Sequence, residues 1–133
     1  MTALTVLYID DDPDTRFLFR ELLEEGEGEQ AVRLLEADGL QDALIHHRHH
    51  PADFVLVDNL LGGRQGVDLI PEIQAAWDCP IWVVSGLASP DLGQRCRTNG
   101  AAGLLSKDEL LRDSRRLRSI LLRSRAGSAE PRP

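Results

Sequence analysis

Asp10-Asp11-Asp12 and Asp58 each follow directly on an apolar run, Leu4–Ile9 in the first case and Phe54–Val57 in the second. Two other polar residues close runs of the same kind: Ser85 after Ile81–Val84, and Lys107 just beyond Gly103–Leu105. If these runs are parallel strands, the side chains that follow them arrive at one edge of one sheet. Carboxylates gathered so closely repel one another, and a hard divalent cation has to offset them; oxygen ligands with positions left for water suit Mg²⁺. With an ion among these three or four carboxylates, Asp58 could act as a nucleophile toward a phosphoryl group, since the ion would neutralise attacking and transferring oxygens together. Ser85 can offer a hydroxyl, and Lys107 a positive charge, to the phosphoryl oxygens.

The elements that must position these residues follow from the hydrophobic pattern. Apolar runs at Leu4–Ile9, Ala31–Leu35, Phe54–Val57, Ile81–Val84 and Gly103–Leu105 alternate with segments of helical period, the pattern of βα units that build a parallel sheet covered on both faces. Pro13 suits the opening turn of a first helix, whose inward stripe is Thr15, Leu18, Phe19, Leu22 and Leu23 and whose end lies at Gly26 and Gly28. Leu40, Ala43, Leu44 and His47 mark a second helix stopped by Pro51, and Gly66 opens a third through Val67, Leu69, Ile70, Ile73 and Trp77. Ser89-Pro90-Asp91 is an N-terminal signal for a fourth. A fifth starts at Asp108 or Glu109, with Leu110, Ser114, Leu117 and Leu121 buried. Five strands and five helices in alternation predict an α/β, flavodoxin-like doubly wound sheet of order 2-1-3-4-5, with right-handed crossovers and its functional edge at the carboxyl ends of strands one and three.

Composition narrows the function classes. At 133 residues the chain is one domain, expected over 1–123, with a polar Pro/Gly-containing tail from Ser124 to Pro133 expected to lack order. Nothing in it approaches the roughly 20 apolar residues of a membrane span, and its start lacks a signal peptide's basic region, so a cytoplasmic protein is expected. Cys79 and Cys96 lack the spacing of a zinc site or disulfide framework. A net charge of −7 argues against direct nucleic-acid binding, although arginines gather from Arg112 to Arg125.

From Val6 to about Leu122 the sequence resembles the receiver (CheY-like) family of two-component response regulators. The matching stretches are Val6-Leu7-Tyr8-Ile9-Asp10-Asp11-Asp12-Pro13, Phe54-Val55-Leu56-Val57-Asp58, Gly66, Trp82-Val83-Val84-Ser85-Gly86, and Gly100-Ala101-Ala102-Gly103-Leu104-Leu105-Ser106-Lys107. In this order they are far more specific than singly. The resemblance implies that Asp10, Asp11, Asp58 and the backbone carbonyl of Leu60 hold Mg²⁺, that Asp58 accepts a phosphoryl group from a sensor histidine kinase or phosphotransfer protein, and that Ser85 and Lys107 contact the phosphoryl oxygens. It implies a non-enzymatic switch, expected to stand as a single domain and to signal through protein contact or onward phosphotransfer. Three positions depart from the family pattern: Leu104 where an aromatic is frequent, and Gly62 and Asp108 where prolines are frequent.

Other readings compete. Leu104 and Gly62 motivate a receiver-like interaction module that acts without phosphorylation. Asp10, Asp12, Asp14 and Glu21 match the spacing of a calcium loop, against which stand Thr15 in the glycine position and Pro13 inside the loop. His46, His49 and His50 share a helix face and could hold a transition metal, although a solvated helix end is the commoner meaning. Phe17, outside the stripe of the first helix, is a candidate kinase contact, and Leu111 and Leu122 with Arg115 and Arg118 suggest a homodimer through the fifth helix. Leu60 and Leu87, flanking Asp58 and Ser85, cannot orient a water and predict a slowly hydrolysed phosphoryl group.

Overall fold

The computed structural model describes residues 4–24 and 31–129. Strands β1 (Leu4–Ile9), β2 (Val32–Ala37) and β3 (Phe54–Asp58) are followed by a hairpin of two-residue strands, β4 (Leu60–Leu61) and β5 (Arg64–Gln65), and then by β6 (Ile81–Ser85) and β7 (Gly103–Ser106). Five of them form one parallel sheet in the order β2-β1-β3-β6-β7, which is 2-1-3-4-5 when the hairpin is left out. The flavodoxin-like fold read from the sequence is the fold observed.

Helices α1 (Pro13–Glu24), α5 (Lys107–Arg112) and α6 (Ser114–Ala129) cover one face, and α2 (Leu40–His49), α3 (Gly66–Ala76) and α4 (Pro90–Thr98) the other. Alternation along the strands divides the core accordingly: Val6, Tyr8 and Leu56 point to the first layer, Leu7, Ile9, Val55 and Val57 to the second. β1 and β3 are therefore buried on both sides, which explains why they read as unbroken apolar runs. Each fully buried aliphatic or Phe side chain contributes about 1.5–3 kcal/mol relative to exposure, enough in sum to hold charged residues at the sheet's edge.

Local chemistry sets the helix ends. Ser89 caps α4 by accepting the Leu92 N–H at 3.2 Å. Pro71 inside α3 cannot bond the Val67 carbonyl, and Asn99 Nδ2 takes that acceptor instead at 2.8 Å.

Three expectations need correction, and the rival calcium-loop reading finds no support. Leu18 is exposed, because the inward line of α1 runs through Phe19 and Leu23. The fifth helix is two helices separated at Asp113; Leu110, Leu117 and Leu121 are buried as expected, while the side chain of Ser114 lies outside the described residues. α6 continues through Ser124–Ala129 rather than ending near Arg123, since extending a helix already nucleated and packed costs little. The calcium-loop spacing is not realised: Asp14 and Glu21 belong to α1, which Asp12 caps. The expected helix end at Gly26 and Gly28 lies outside the described residues, as do residues 130–133. Among the described residues, no helix is long and apolar enough to cross a membrane.

Candidate functional site

Asp10 and Asp58 leave the carboxyl ends of β1 and β3 as buried residues, 1% and 4% exposed, and Asp11 stands beside them at the surface. One carboxylate oxygen from each of the three lies within 4.8 Å of the others. This is the one cluster of three His, Cys, Asp or Glu ligands among the described residues, so the histidines of α2 do not converge. His46 pairs weakly with Asp42 at 3.7 Å, and His47 turns inward, edge-on to Trp77 at 4.9 Å.

Lys107, just beyond β7, places Nζ 3.0 Å from Asp58 Oδ1 and 3.7 Å from Asp10 Oδ2. One ammonium thus pairs with two of the three carboxylates. Burial pushes the Asp58 carboxyl above the ordinary range; Lys107 works against that shift, and the charges of Asp10 and Asp11 add to it. Asp12 takes no part in the cluster: it accepts from Thr15 Oγ1 at 2.6 Å, a bond that chiefly holds its carboxyl below the ordinary range.

Ser85 ends β6 one residue past Val84, the register partner of Asp58. Its Oγ accepts the Leu87 N–H at 3.1 Å, leaving the hydroxyl proton available for another acceptor. Leu60 and Leu87, on the loops beside these positions, are 67% and 85% exposed. Every described peptide bond is trans, Lys107–Asp108 included.

The backbone around Asp58 is tightly set. A Cβ on Gly66 would lie 2.2 Å from the Asp58 carbonyl oxygen, so only glycine fits against it. Gly62 has φ 57° and donates its N–H to Asp11 Oδ2 at 2.9 Å; proline could meet neither requirement, which accounts for its absence here.

Sequence reasoning missed four contributors. Tyr8 donates to Asp10 Oδ2 at 2.6 Å, and its phenol is pushed up first by burial and then by that bond. Arg16 Nη1 holds the Asp10 carbonyl at 2.5 Å while its Nε pairs with Glu36 at 3.0 Å. Asn59 anchors the start of α3 by accepting the Val67 N–H at 3.1 Å, and Gly62 grips Asp11. Only Tyr8 carried a signal, standing two residues before Asp10 and therefore on the same strand face.

A family model described as the response regulator receiver domain matches residues 6–120. The transcriptional regulatory protein PdtaR of Mycobacterium tuberculosis is 33% identical over 102 residues, covering 77% of this chain and 48% of PdtaR. The chain therefore spans about half the length of that curated relative. A Burkholderia pseudomallei response regulator, solved with a phosphorylated aspartic acid, a calcium ion and citrate, is 27% identical with a TM-score of 0.64 over 78% of this chain and 59% of its own. The response regulator domain of Thermotoga maritima CheB shares the fold, with a TM-score of 0.77, 14% identity and coverage of 94% and 98%.

Proposed function

Because the chain belongs to the response regulator receiver domain family, we propose that it takes a phosphoryl group onto Asp58 from a phosphohistidine donor, with Mg²⁺ held by Asp10, Asp11, Asp58 and the Leu60 carbonyl. The observation that carries this reading is the convergence of three carboxylates within 4.8 Å, with Lys107 3.0 Å from Asp58. Hard oxygen donors with an excess of negative charge fit a small divalent cation. When bound, Mg²⁺ supplies charge neutralisation for both the carboxylate and the phosphoryl oxygens. The phosphorylated aspartate and calcium ion of the Burkholderia protein support the same chemistry.

In the transfer, an Asp58 carboxylate oxygen attacks phosphorus, the bond to the donor imidazole breaks, and the imidazole nitrogen keeps the electron pair. Lys107, 3.0 Å away, and the cation when bound would keep the Asp58 carboxyl ionised, the form that attacks. Lys107 exchanges its contact with Asp58 for one with a phosphoryl oxygen, and the free Ser85 proton bonds another. Phe17, 57% exposed on α1 close to the site, is the proposed contact for the kinase or phosphotransfer protein. The signal leaves by protein contact or onward phosphotransfer, in the cytoplasm. The deciding experiment is intact mass after incubation with acetyl phosphate and Mg²⁺. One added phosphoryl group, absent when Mg²⁺ is chelated, is expected; an unchanged mass overturns the reading.

A further inference from the structure

Tyr8 is the one tyrosine in the sequence, and it is buried between β1 and α1 with its ring 4.7 Å from that of Phe19. Its hydroxyl is the single polar atom that this side chain carries into the core. It ends on Asp10 Oδ2 at 2.6 Å. The other oxygen of that carboxylate, Oδ1, accepts the Asp12 N–H at 2.9 Å. Asp10 is therefore held from two sides, by its own turn and by a residue behind it in the core.

Lys107 competes for the same oxygen. Its Nζ stands 3.7 Å from Asp10 Oδ2 and 3.0 Å from Asp58 Oδ1, so the ammonium is committed to Asp58 while the phenol occupies Asp10. Building on the reading of this cluster as a Mg²⁺ site, we propose that Tyr8 is a positioning residue: its hydroxyl fixes the Asp10 carboxylate for the cation and keeps Lys107 with Asp58. Phenylalanine in its place would fill the same space against Phe19 but leave a buried carboxylate oxygen short of a donor. Lys107 is the nearest cation to replace it. Asp10 would then close on the ammonium, cancelling charge that the cation needs and drawing Lys107 away from the nucleophile. Groups that orient metal ligands from behind are worth about 10–100-fold in metal affinity.

A purely structural hydroxyl would change stability and leave cation affinity alone, so the test reads affinity. With tyrosine labelled with ¹³C at Cζ, only Tyr8 gives a signal, and a Mg²⁺ titration can be followed there and at the backbone amides of Asp11 and Asn59. The Cζ resonance is expected to shift with the same midpoint as the amides, and Tyr8→Phe, still folded by its amide spectrum, to bind Mg²⁺ about tenfold more weakly. A Cζ resonance that stays still while the amides saturate overturns the proposal, and that arm needs no variant. Wild-type affinity in folded Tyr8→Phe overturns it equally. If the wild-type amides do not respond to Mg²⁺, the cation reading itself fails and takes this inference with it.

Discussion

The two ends of the sheet are built on opposite principles. At the carboxyl end, three carboxylates cluster with a single ammonium that pairs with two of them, and burial pushes Asp58 up. At the amino end lies a cleft of about 710 Å³ lined by Asp53, Gln74, Trp77, Asp78 and Cys79, much larger than the groove of about 250 Å³ beside Asp11 and Gly62. Two of its polar groups are engaged in holding the backbone: Asp53 Oδ2 takes the Thr5 N–H at 2.8 Å, and Gln74 Nε2 donates to the Gly100 carbonyl at 2.6 Å. The Cys79 thiol is pushed up to about 11 by burial and then by Asp53 and Asp78, which leaves it a poor nucleophile. The larger opening thus sits at the end away from the carboxylate cluster. Uncompensated charge, rather than volume, marks the end proposed to accept the phosphoryl group.

If this contrast is right, substitutions at the two ends should separate function from stability. Asp58→Asn has the largest expected effect: phosphorylation by acetyl phosphate is lost outright. Because burial outweighs Lys107 in disfavouring the ionised carboxyl, the thermal midpoint should rise. Intact mass and calorimetry check the pair, and a fall in midpoint would mean that the Asp58–Lys107 bond outweighs the desolvation. Trp77→Ala at the other end should do the reverse. Emptying a fully buried indole costs about 3–5 kcal/mol, within the ~5–15 kcal/mol that a domain has to lose. Phosphorylation of the variant at low temperature should match wild type; a lost phosphoryl acceptance would show that the ends are coupled.

The same contrast explains what the sequence made legible. Strands buried on both sides announce themselves as apolar runs, and a polar residue closing such a run has to lie at the sheet edge, so Asp10, Asp58, Ser85 and Lys107 could be placed without coordinates. Residues that act across the chain could not. Arg118 reads as part of an exposed cationic face, yet Nη2 reaches the Leu23 carbonyl at 2.6 Å, satisfying an acceptor in the last turn of α1. Tyr8 reads as core and is core, and nothing local says where its hydroxyl ends. The hairpin of β4 and β5 has two residues per strand, too few for any period to show.

A smaller effect sharpens the carboxyl end. An acyl phosphate decays when water attacks in line with the leaving carboxylate, and a polar neighbour can hold that water. Leu60 and Leu87 supply no such group and are themselves exposed beside the site. Replacing them together, Leu60→Asn with Leu87→Glu, should speed loss of the phosphoryl group about tenfold, a barrier change of about 1.4 kcal/mol. A double variant that loses the group at the wild-type rate would leave the leucines without influence on hydrolysis.

The smallest effect belongs to the wall of α2 and α3, where His47 packs edge-on against Trp77 at 4.9 Å. Neither His47 Nδ1 nor Trp77 Nε1 has a hydrogen-bond partner, so a charged imidazole would find no compensation there. Burial accordingly holds the His47 pKa below its ordinary 6.5. The sign follows from proton uptake. Below pH 6.5 the unfolded chain binds a proton at this residue that the native chain resists, so the unfolded state gains. The contribution of His47 is thus fully present above pH 6.5 and is lost as the pH falls through the native pKa. Asp58 slopes the other way: its raised native pKa means stability falls as pH rises from the unfolded value toward the native one. Subtracting a His47→Phe variant from wild type removes the Asp58 slope, common to both. The difference in unfolding free energy should be flat above pH 6.5 and should turn against wild type below it. A difference that stays flat down to pH 5 would show that His47 takes up its proton in the native wall without cost.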